Sequence, residues 1–538
     1  MASPSPSDPT GAAGEAAAGA VVKEILEAAI AAAAGAGAAE EAEVVVMPPA
    51  SPFTTQERED GIDILTAKSP PGPPPPSPPA AAASQPNRAG QTAGWPWGPP
   101  KKKKKALLAL DGGGLHGIVA CMVLEELERR IKAVAARKGR ALQEPFCLAH
   151  YFDCVAGTST GSVMAAYLCM HSAGMIEHVG ENSVEGLIEL YEKEAQTIFP
   201  PASWIYSAWI TVSQYVASSK YTSKGLRKVL ESYLKPDASL AQLAASTRPG
   251  HRCALVVNTF DVMKKCAVSF FAAPAAQGGG EGPHHGTIEY TDFGEPGQHA
   301  WDPDLLKSLE AYGLDESSLQ GNARMSEAHD YTVVDTVMAS TAAPGYLPPA
   351  VIAPLPAGSA DGRDRRRVFC DGSVASNNPV LEGINLLREA AGPDRPLELE
   401  DIAILSIGTT NLLTTVTREQ ASKFGSIVSW LTSADIISAL TLSNSDMSHG
   451  QLSVFYQNYA KGAEDQYLRV QLTADYQKLQ DAVNAKNAKA KVLLDALEHF
   501  DWSRPEYVGT MKELGRILAG LYGDRLEAFV ENYIFPDD

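Results

Sequence analysis

Short apolar runs that end in glycine and pass into helical patterns organise the chain from residue 106 onward. Ala106 to Leu110 is apolar at every position, as expected of a strand buried on both faces. It leads into Asp111-Gly112-Gly113-Gly114-Leu115-His116-Gly117, and a helical pattern follows from Ile118 to about Ala136. The plan then repeats. The apolar run Tyr151 to Ala156 meets Gly157-Thr158-Ser159-Thr160-Gly161, and Ser162 to Met170 is helix-prone. A third strand, Val368 to Cys370, ends at Asp371-Gly372-Ser373 and continues to Asn377-Asn378-Pro379.

The ends of the chain differ from this middle. Met1 to about Pro100 is rich in Ala, Pro, Gly and Ser, with a proline tract from Pro70 to Pro79. Such a composition buries too little surface to offset chain entropy, so residues 1–105 are expected to be a disordered arm. One helical island is expected from about Ala12 to Val46, with Val22, Ile25, Leu26 and Ile30 as a narrow apolar stripe. The arm ends in five lysines, Lys101 to Lys105, which read either as a solvated tether or as a patch for anionic lipid. After about Thr473 the chain is helical and charged, from Ala474 to His499 and from Glu506 to Tyr533, which predicts a helical C-terminal extension over 474–538.

Composition narrows the classes. At 538 residues and 45% apolar, the chain is long enough for one large domain with flanking segments. No apolar stretch reaches the roughly 18 to 20 residues of a membrane span, and the acidic N-terminal arm suits neither a signal sequence nor a transit peptide. A net charge of −19 disfavours nucleic acid, and it makes any contact with anionic lipid a local matter. Seven scattered cysteines without framework spacing predict reduced, buried thiols in a cytoplasmic setting, with peripheral membrane contact left open. No Cys-x-x-Cys or histidine cluster calls for a metal or cofactor. His284-His285 is expected in a surface loop from Gln277 to Gly286. The aromatic stretch Phe199 to Ile210 reads as a lipid-facing lip or as core packing. The insertion Pro354 to Arg367, ending in three arginines, reads as a solvated hairpin or a headgroup contact.

Ser159 carries the chemistry of greatest interest. A serine between glycines at a strand-to-helix turn exposes its hydroxyl to a substrate, with the positive end of the helix beneath it. The same five residues also suit a turn with a helix cap. The glycine loop at Gly112, Gly113 and Gly114 offers backbone amides to an anion, either a phosphate or an oxyanion. Gly112, Gly114 and Gly117 fit the spacing of a dinucleotide loop, but Ser159 stands where such a domain would place its next strand. No Gly-Lys-Ser or Gly-Lys-Thr supports a Walker-type loop. A serine also needs a base, and Asp371 at its strand end is either that base or a plain turn residue. Of the histidines beyond it, His449 lies in a polar run and His499 in an exposed-looking helical segment, so a Ser/Asp pair suits the chain better than a triad.

Taken together, Gly112-Gly113-Gly114-x-x-Gly117, Gly157-x-Ser159-x-Gly161 and Asp371-Gly372 resemble the patatin-like phospholipase family. The stretches Leu255 to Asp261, Ala339 to Pro344 and Ile404 to Thr409 are similar to the same family, and the likeness covers about Ala106 to Gln471. The resemblance implies an α/β fold: a three-layer α/β/α domain over about 106–473 with a mostly parallel central sheet. It implies a lipid acyl hydrolase of phospholipase A type, acting without metal or cofactor on membrane or micellar lipid. Ser159 would be the nucleophile and Asp371 its proton acceptor, with the amides of Gly112, Gly113 and Gly114 as the oxyanion hole and Gly117 closing the loop. Aspartate, at an ordinary pKa of about 3.9, would need burial or a very close serine to serve as the base. Two positions depart from the family pattern. His116 stands where Arg or Lys is usual, either weakening the positive field or simply packing, and Ser373 replaces Gly or Ala with little effect expected. Two alternatives stay open: a weakly active homologue that binds lipid surfaces, and a Ser-Asp-His carboxylesterase.

Overall fold

The computed structural model describes residues 104–177, 183–201, 219–274, 284–290, 329–355, 365–391, 397–413, 436–458, 464–499 and 501–537. The alanine- and proline-rich arm, Lys101 to Lys103, most of the aromatic stretch and the centre of the arginine insertion lie outside the described residues.

In chain order the strands are β1 (Lys105–Leu110), β2 (Cys154–Thr158), β3 (Ala254–Asp261), β4 (Cys266–Ala273), β5 (His284–Tyr290), β6 (Ala350–Ile352), β7 (Arg367–Asp371), β8 (Ile402–Ile407), β9 (Asn411–Leu413), β10 (Tyr467–Val470) and β11 (Thr473–Asp475). The helices that matter below are α1 (Gly117–Arg137), α2 (Thr160–Ser172), α3 (Glu185–Ile198), α4 (Val333–Ser340), α5 (Val380–Ala391), α6 (Ile436–Asn458), α7 (Ala488–Glu498), α8 (Pro505–Leu521) and α9 (Gly523–Phe529). The central sheet runs β10-β8-β1-β2-β3-β4-β5. It is parallel from β10 to β3 and antiparallel from β3 to β5.

Both faces of this sheet are covered, which explains why β1 is apolar throughout. Leu108 and Leu110 join a core with α1, α2, α4 and α8, while Leu107 and Ala109 join a second core with α5 and α6. Helices on both faces of a mostly parallel sheet make a three-layer α/β/α architecture. The expected helix from Ile118 is α1, one residue longer at each end. The second strand begins later than its apolar run, because Leu148 to Tyr151 forms a 3-10 turn. The Asp153 amide then donates to the Ala106 carbonyl at 2.8 Å, which fixes Cys154 as the first paired residue.

One pairing sets the geometry of the site. Thr158, the last residue of β2, pairs with Asn258 of β3, and the next residue of β3, Thr259, pairs with Asp371 of β7. So β7 takes over the edge of β3 where β2 stops. The end of one strand carries Ser159 and the end of the other carries Asp371.

Several expectations change. His284 and His285 are not in a loop; they start β5 and pair with Ala273 and Ala272 of β4, because the antiparallel ladder extends to their backbone. The C-terminal run does not form two long helices. It breaks at Lys486, which has φ 62, where the Asn487 side chain caps α7 through the Ala490 amide at 3.2 Å, and again at Tyr522 between α8 and α9. Both α8 and α9 pack on α1, and Lys101–Asp538 is one compact unit. All seven cysteines are buried and unpaired by disulfides. Lys104 donates to the Glu400 carbonyl at 2.6 Å and Lys105 pairs with Asp153 at 3.0 Å. The end of the lysine run is therefore held where β1 begins, about 20 Å along the strand from the glycine loop. No described helix is long and apolar enough to cross a membrane.

Candidate active site

Ser159 has φ 52 and ψ −122, a backbone conformation that L residues rarely adopt. Such strain persists only where the surroundings over-determine it. Here they do. The Ser159 amide donates to Ser340 Oγ at 2.9 Å, and Ser340 in turn donates to the Asn258 carbonyl at 2.6 Å. The Ser159 carbonyl accepts from the Ser162 amide and hydroxyl at 2.8 and 2.6 Å, which opens α2 directly beneath the turn. Gly157 ends the apolar part of β2, and Gly161 lies in the first turn of α2. A Cβ on Gly161 would overlap the Leu110 carbonyl oxygen, so the helix start approaches β1 this closely only as glycine.

Asp371 is buried, and the Ser159 and Ser373 side chains lie beside its carboxylate, where they favour its charged form. The Ser373 amide lies 2.8 Å from Oδ1. Burial raises the Asp371 pKa above the ordinary carboxylate value, and the neighbouring Ser159 and Ser373 only partly offset it. Ser373 does more than keep a small residue after Asp-Gly, since its Oγ also bonds Asn377 Oδ1 at 2.9 Å. Gly372 forms the turn beside the Asn258 carbonyl. Neither downstream histidine is among the groups that set the Asp371 carboxyl. His449 bonds Tyr467 at 3.0 Å, and His499 stacks on Trp502.

The glycine loop comes up against the serine. A Cβ placed on Gly112 would stand 3.1 Å from Ser159 Cβ, and one on Gly113 would overlap the Thr409 side chain. The three amides are not equivalent. Gly112 N–H donates to the Asn377 carbonyl at 3.2 Å, which takes it out of the set expected to face an oxyanion. The amides of Gly113 and Gly114 have no backbone acceptor among the described residues. Gly114 has φ 54, left-handed backbone that suits glycine, and Gly117 begins α1.

Beneath the loop lies a buried ion pair that sequence reasoning missed. Arg469 of β10 reaches Asp111 with both guanidinium nitrogens, at 2.7 and 2.5 Å, and Ser445 of α6 donates to Asp111 at 2.7 Å. The Asp111 amide bonds the Ile407 carbonyl at 3.0 Å, and Thr409 Oγ1 donates to the Gly112 carbonyl at 3.0 Å. The loop is thus fastened on both sides by fixed partners. His116 is buried, and burial pushes its pKa down, so it is neutral at pH 7. Nε2–H donates to the Ala496 carbonyl at 2.7 Å and Nδ1 accepts from Thr410 at 2.9 Å. Of its two expected roles, packing is the one the geometry supports: it ties the loop to α7.

Asn258, Ser340 and Thr409 lie within the three stretches that resembled a known family, yet nothing in their local pattern gave them these partners. Asp111 and Arg469 are 358 residues apart and left no local signal.

A bound nucleotide phosphate would need the loop's amides open along their length, whereas Asn377 closes one and a serine side chain stands against the loop. The loop and the turn therefore do not suit a dinucleotide. Comparison with known proteins narrows the class. The family model described as patatin-like phospholipase matches residues 108–384, a little over half of the chain, and the chain belongs to that family of lipid acyl hydrolases. It is similar to Patatin-like protein 1 of Arabidopsis thaliana, with 26% identity over 393 residues, covering 69% of this chain and 77% of the relative. It is also 26% identical to Patatin-like protein 2 of Oryza sativa subsp. indica, over 69% of this chain and 78% of that protein. A third relative, from Solanum tuberosum, is named a probable inactive patatin-3-Kuras 1, at 23% identity over 68% of this chain and 78% of its own length.

Proposed function

We propose that this protein is a phospholipase A-type lipid acyl hydrolase in which Ser159 is the nucleophile and Asp371 its base. The observation that carries the reading is the juxtaposition of a strained serine turn at the end of β2 with the buried Asp371 carboxylate at the end of β7, whose pKa burial has raised. In the first half-reaction Ser159 Oγ attacks the ester carbonyl while its proton passes to Asp371. The amides of Gly113 and Gly114 stabilise the oxyanion, with Gly112 as the close-packed floor of the loop. Collapse expels the alcohol, which takes the proton from Asp371. Water then attacks the acyl-enzyme, giving its proton to Asp371 and releasing the fatty acid. Microscopic reversibility returns that proton to Ser159.

Such a site is suited to membrane or micellar lipid, and its residues alone supply every proton transfer in the scheme. The test is product analysis across lipid classes. Phospholipid or galactolipid incubated with the wild type is expected to give free fatty acid and lysolipid, and the same lipids with Ser159→Ala to give neither. Absence of fatty acid from every class with the wild type would favour the surface-binding alternative instead. His449→Ala and His499→Ala are expected to keep the product profile; loss with either would replace the pair with a Ser-Asp-His site.

A further inference from the structure

We infer that the end of the molecule beyond Asp371 is a docking face for an anionic lipid surface, built from the β3–β4 hairpin tip and the start of β7. This rests on the acyl hydrolase reading and names how that site meets its substrate. Register places the face. Thr158 pairs with Asn258, and Asp261 lies three residues further along β3. The tip, Val262 to Lys265, therefore stands about 10 Å beyond the level of the Ser159 turn, at roughly 3.3 Å per residue. The Val262 amide bonds the Val368 carbonyl at 2.9 Å, so Arg365, Arg366 and Arg367 lie at the same outer level. Val351 of β6 pairs with Val368 beside them.

This end exposes apolar side chains. Met263 is 64% exposed, Val351 57% and Val262 41%, three of the seven large apolar residues most open to solvent among those described. Cations surround them: Lys264, Lys265, Arg365 and Arg366 are exposed, and Arg367 is partly so. The described acids that face them, Asp261 and Glu289, are already engaged. Asp261 is buried against Arg367 at 2.5 Å and accepts the Met263 and Lys264 amides at 2.8 and 2.9 Å. Glu289 takes Lys264 at 2.7 Å and Arg367 at 2.9 Å. Among the described residues of this face, the five cations outnumber the two acids, Asp261 and Glu289, on a chain with a net charge of −19. Lys265 has φ 56, where glycine would sit with less strain, so a turn position suited to glycine holds a cation.

Apolar side chains at a tip flanked by Lys and Arg bind an interface in two ways at once. The apolar atoms enter the headgroup boundary while the cations reach anionic phosphates. Lys104 and Lys105 do not share this face, since they are held at the opposite end of the sheet.

The test uses the full chain with Met263→Ser and Lys265→Gly together. Glycine suits the backbone at 265, so a melting temperature no lower than that of the wild type checks the fold. Partitioning onto sedimented vesicles of phosphatidylcholine mixed with phosphatidylglycerol is expected to fall about tenfold relative to wild type. Wild type is also expected to bind these vesicles more tightly than phosphatidylcholine alone. Hydrolysis of a short-chain, water-soluble ester should be equal in both proteins, because Ser159 and Asp371 are untouched. If the wild type fails on that ester, the acyl hydrolase reading fails, while the vesicle result still judges the docking face. Equal partitioning of wild type and variant overturns the inference. So does loss of binding only when Lys101, Lys102 and Lys103 are each changed to Gln, or a variant whose only change is dissociation of a dimer in light scattering.

Discussion

Ser159→Ala is expected to reduce ester hydrolysis by about 10⁴-fold or more, equivalent to roughly 5.5 kcal/mol of transition-state stabilisation. The folded state should survive, because the Ser159 side chain is not what holds the turn: its amide and carbonyl do, through Ser340 and Ser162. Ser159→Gly should lose as much activity yet melt above Ser159→Ala, since glycine relieves a φ of 52 that costs about 1 to 3 kcal/mol for other residues. Activity assays beside thermal melts separate the two effects. A serine serving only as a helix cap would give the reverse pattern, with activity intact and stability lower in both variants.

Asp371→Asn is expected to lower activity by about 10³-fold, within the range for loss of a general base. It should not destabilise the protein at neutral pH. Burial raises the folded-state pKa of Asp371, so the folded chain binds this proton more readily than the unfolded chain. The stabilising contribution is full below the unfolded value of about 3.9 and is lost as pH rises through the raised folded value. At pH 7 the ionised carboxylate is therefore a cost that asparagine removes, while its amide oxygen can still accept from the Ser373 amide. Melting temperature at or above wild type at pH 7, with the gap closing in acid, is the expected result. In the wild type, the acid limb of the activity profile should lie above the ordinary aspartate range. Activity of Asp371→Asn within about tenfold of wild type would place the base elsewhere.

Local signals made the βα units legible. Ala106 to Leu110 before glycines, and a serine between glycines before Ser162, each announce a strand, a turn and a helix within some fifteen residues. Contacts made by strands far apart in sequence were not legible. Asp371 meets Ser159 only because β7 pairs with β3 just past the end of β2, and no spacing in the chain encodes that register. The set of loop amides open to an anion differs from expectation for a similar reason. Three consecutive glycines look equivalent in sequence, but Asn377 returns from beyond β7 to occupy the Gly112 amide. His116 left two roles open because its partners, Thr410 and Ala496, come from distant segments that only tertiary packing brings together. The histidines of β5 were misplaced because a glycine-rich sequence suggests a loop, whereas the edge ladder with β4 continues through them.

The central claim is that Ser159 becomes acylated and that Asp371 drives both formation and release of the ester. It is tested most directly by mass spectrometry of peptides from an acid-quenched reaction with a short-chain ester. An acyl mass on the peptide containing Ser159, appearing within the first turnover in the wild type, lacking in Ser159→Ala and much slower to form in Asp371→Asn, is the predicted result. An acyl group on another residue, or hydrolysis that proceeds in Ser159→Ala, would contradict it.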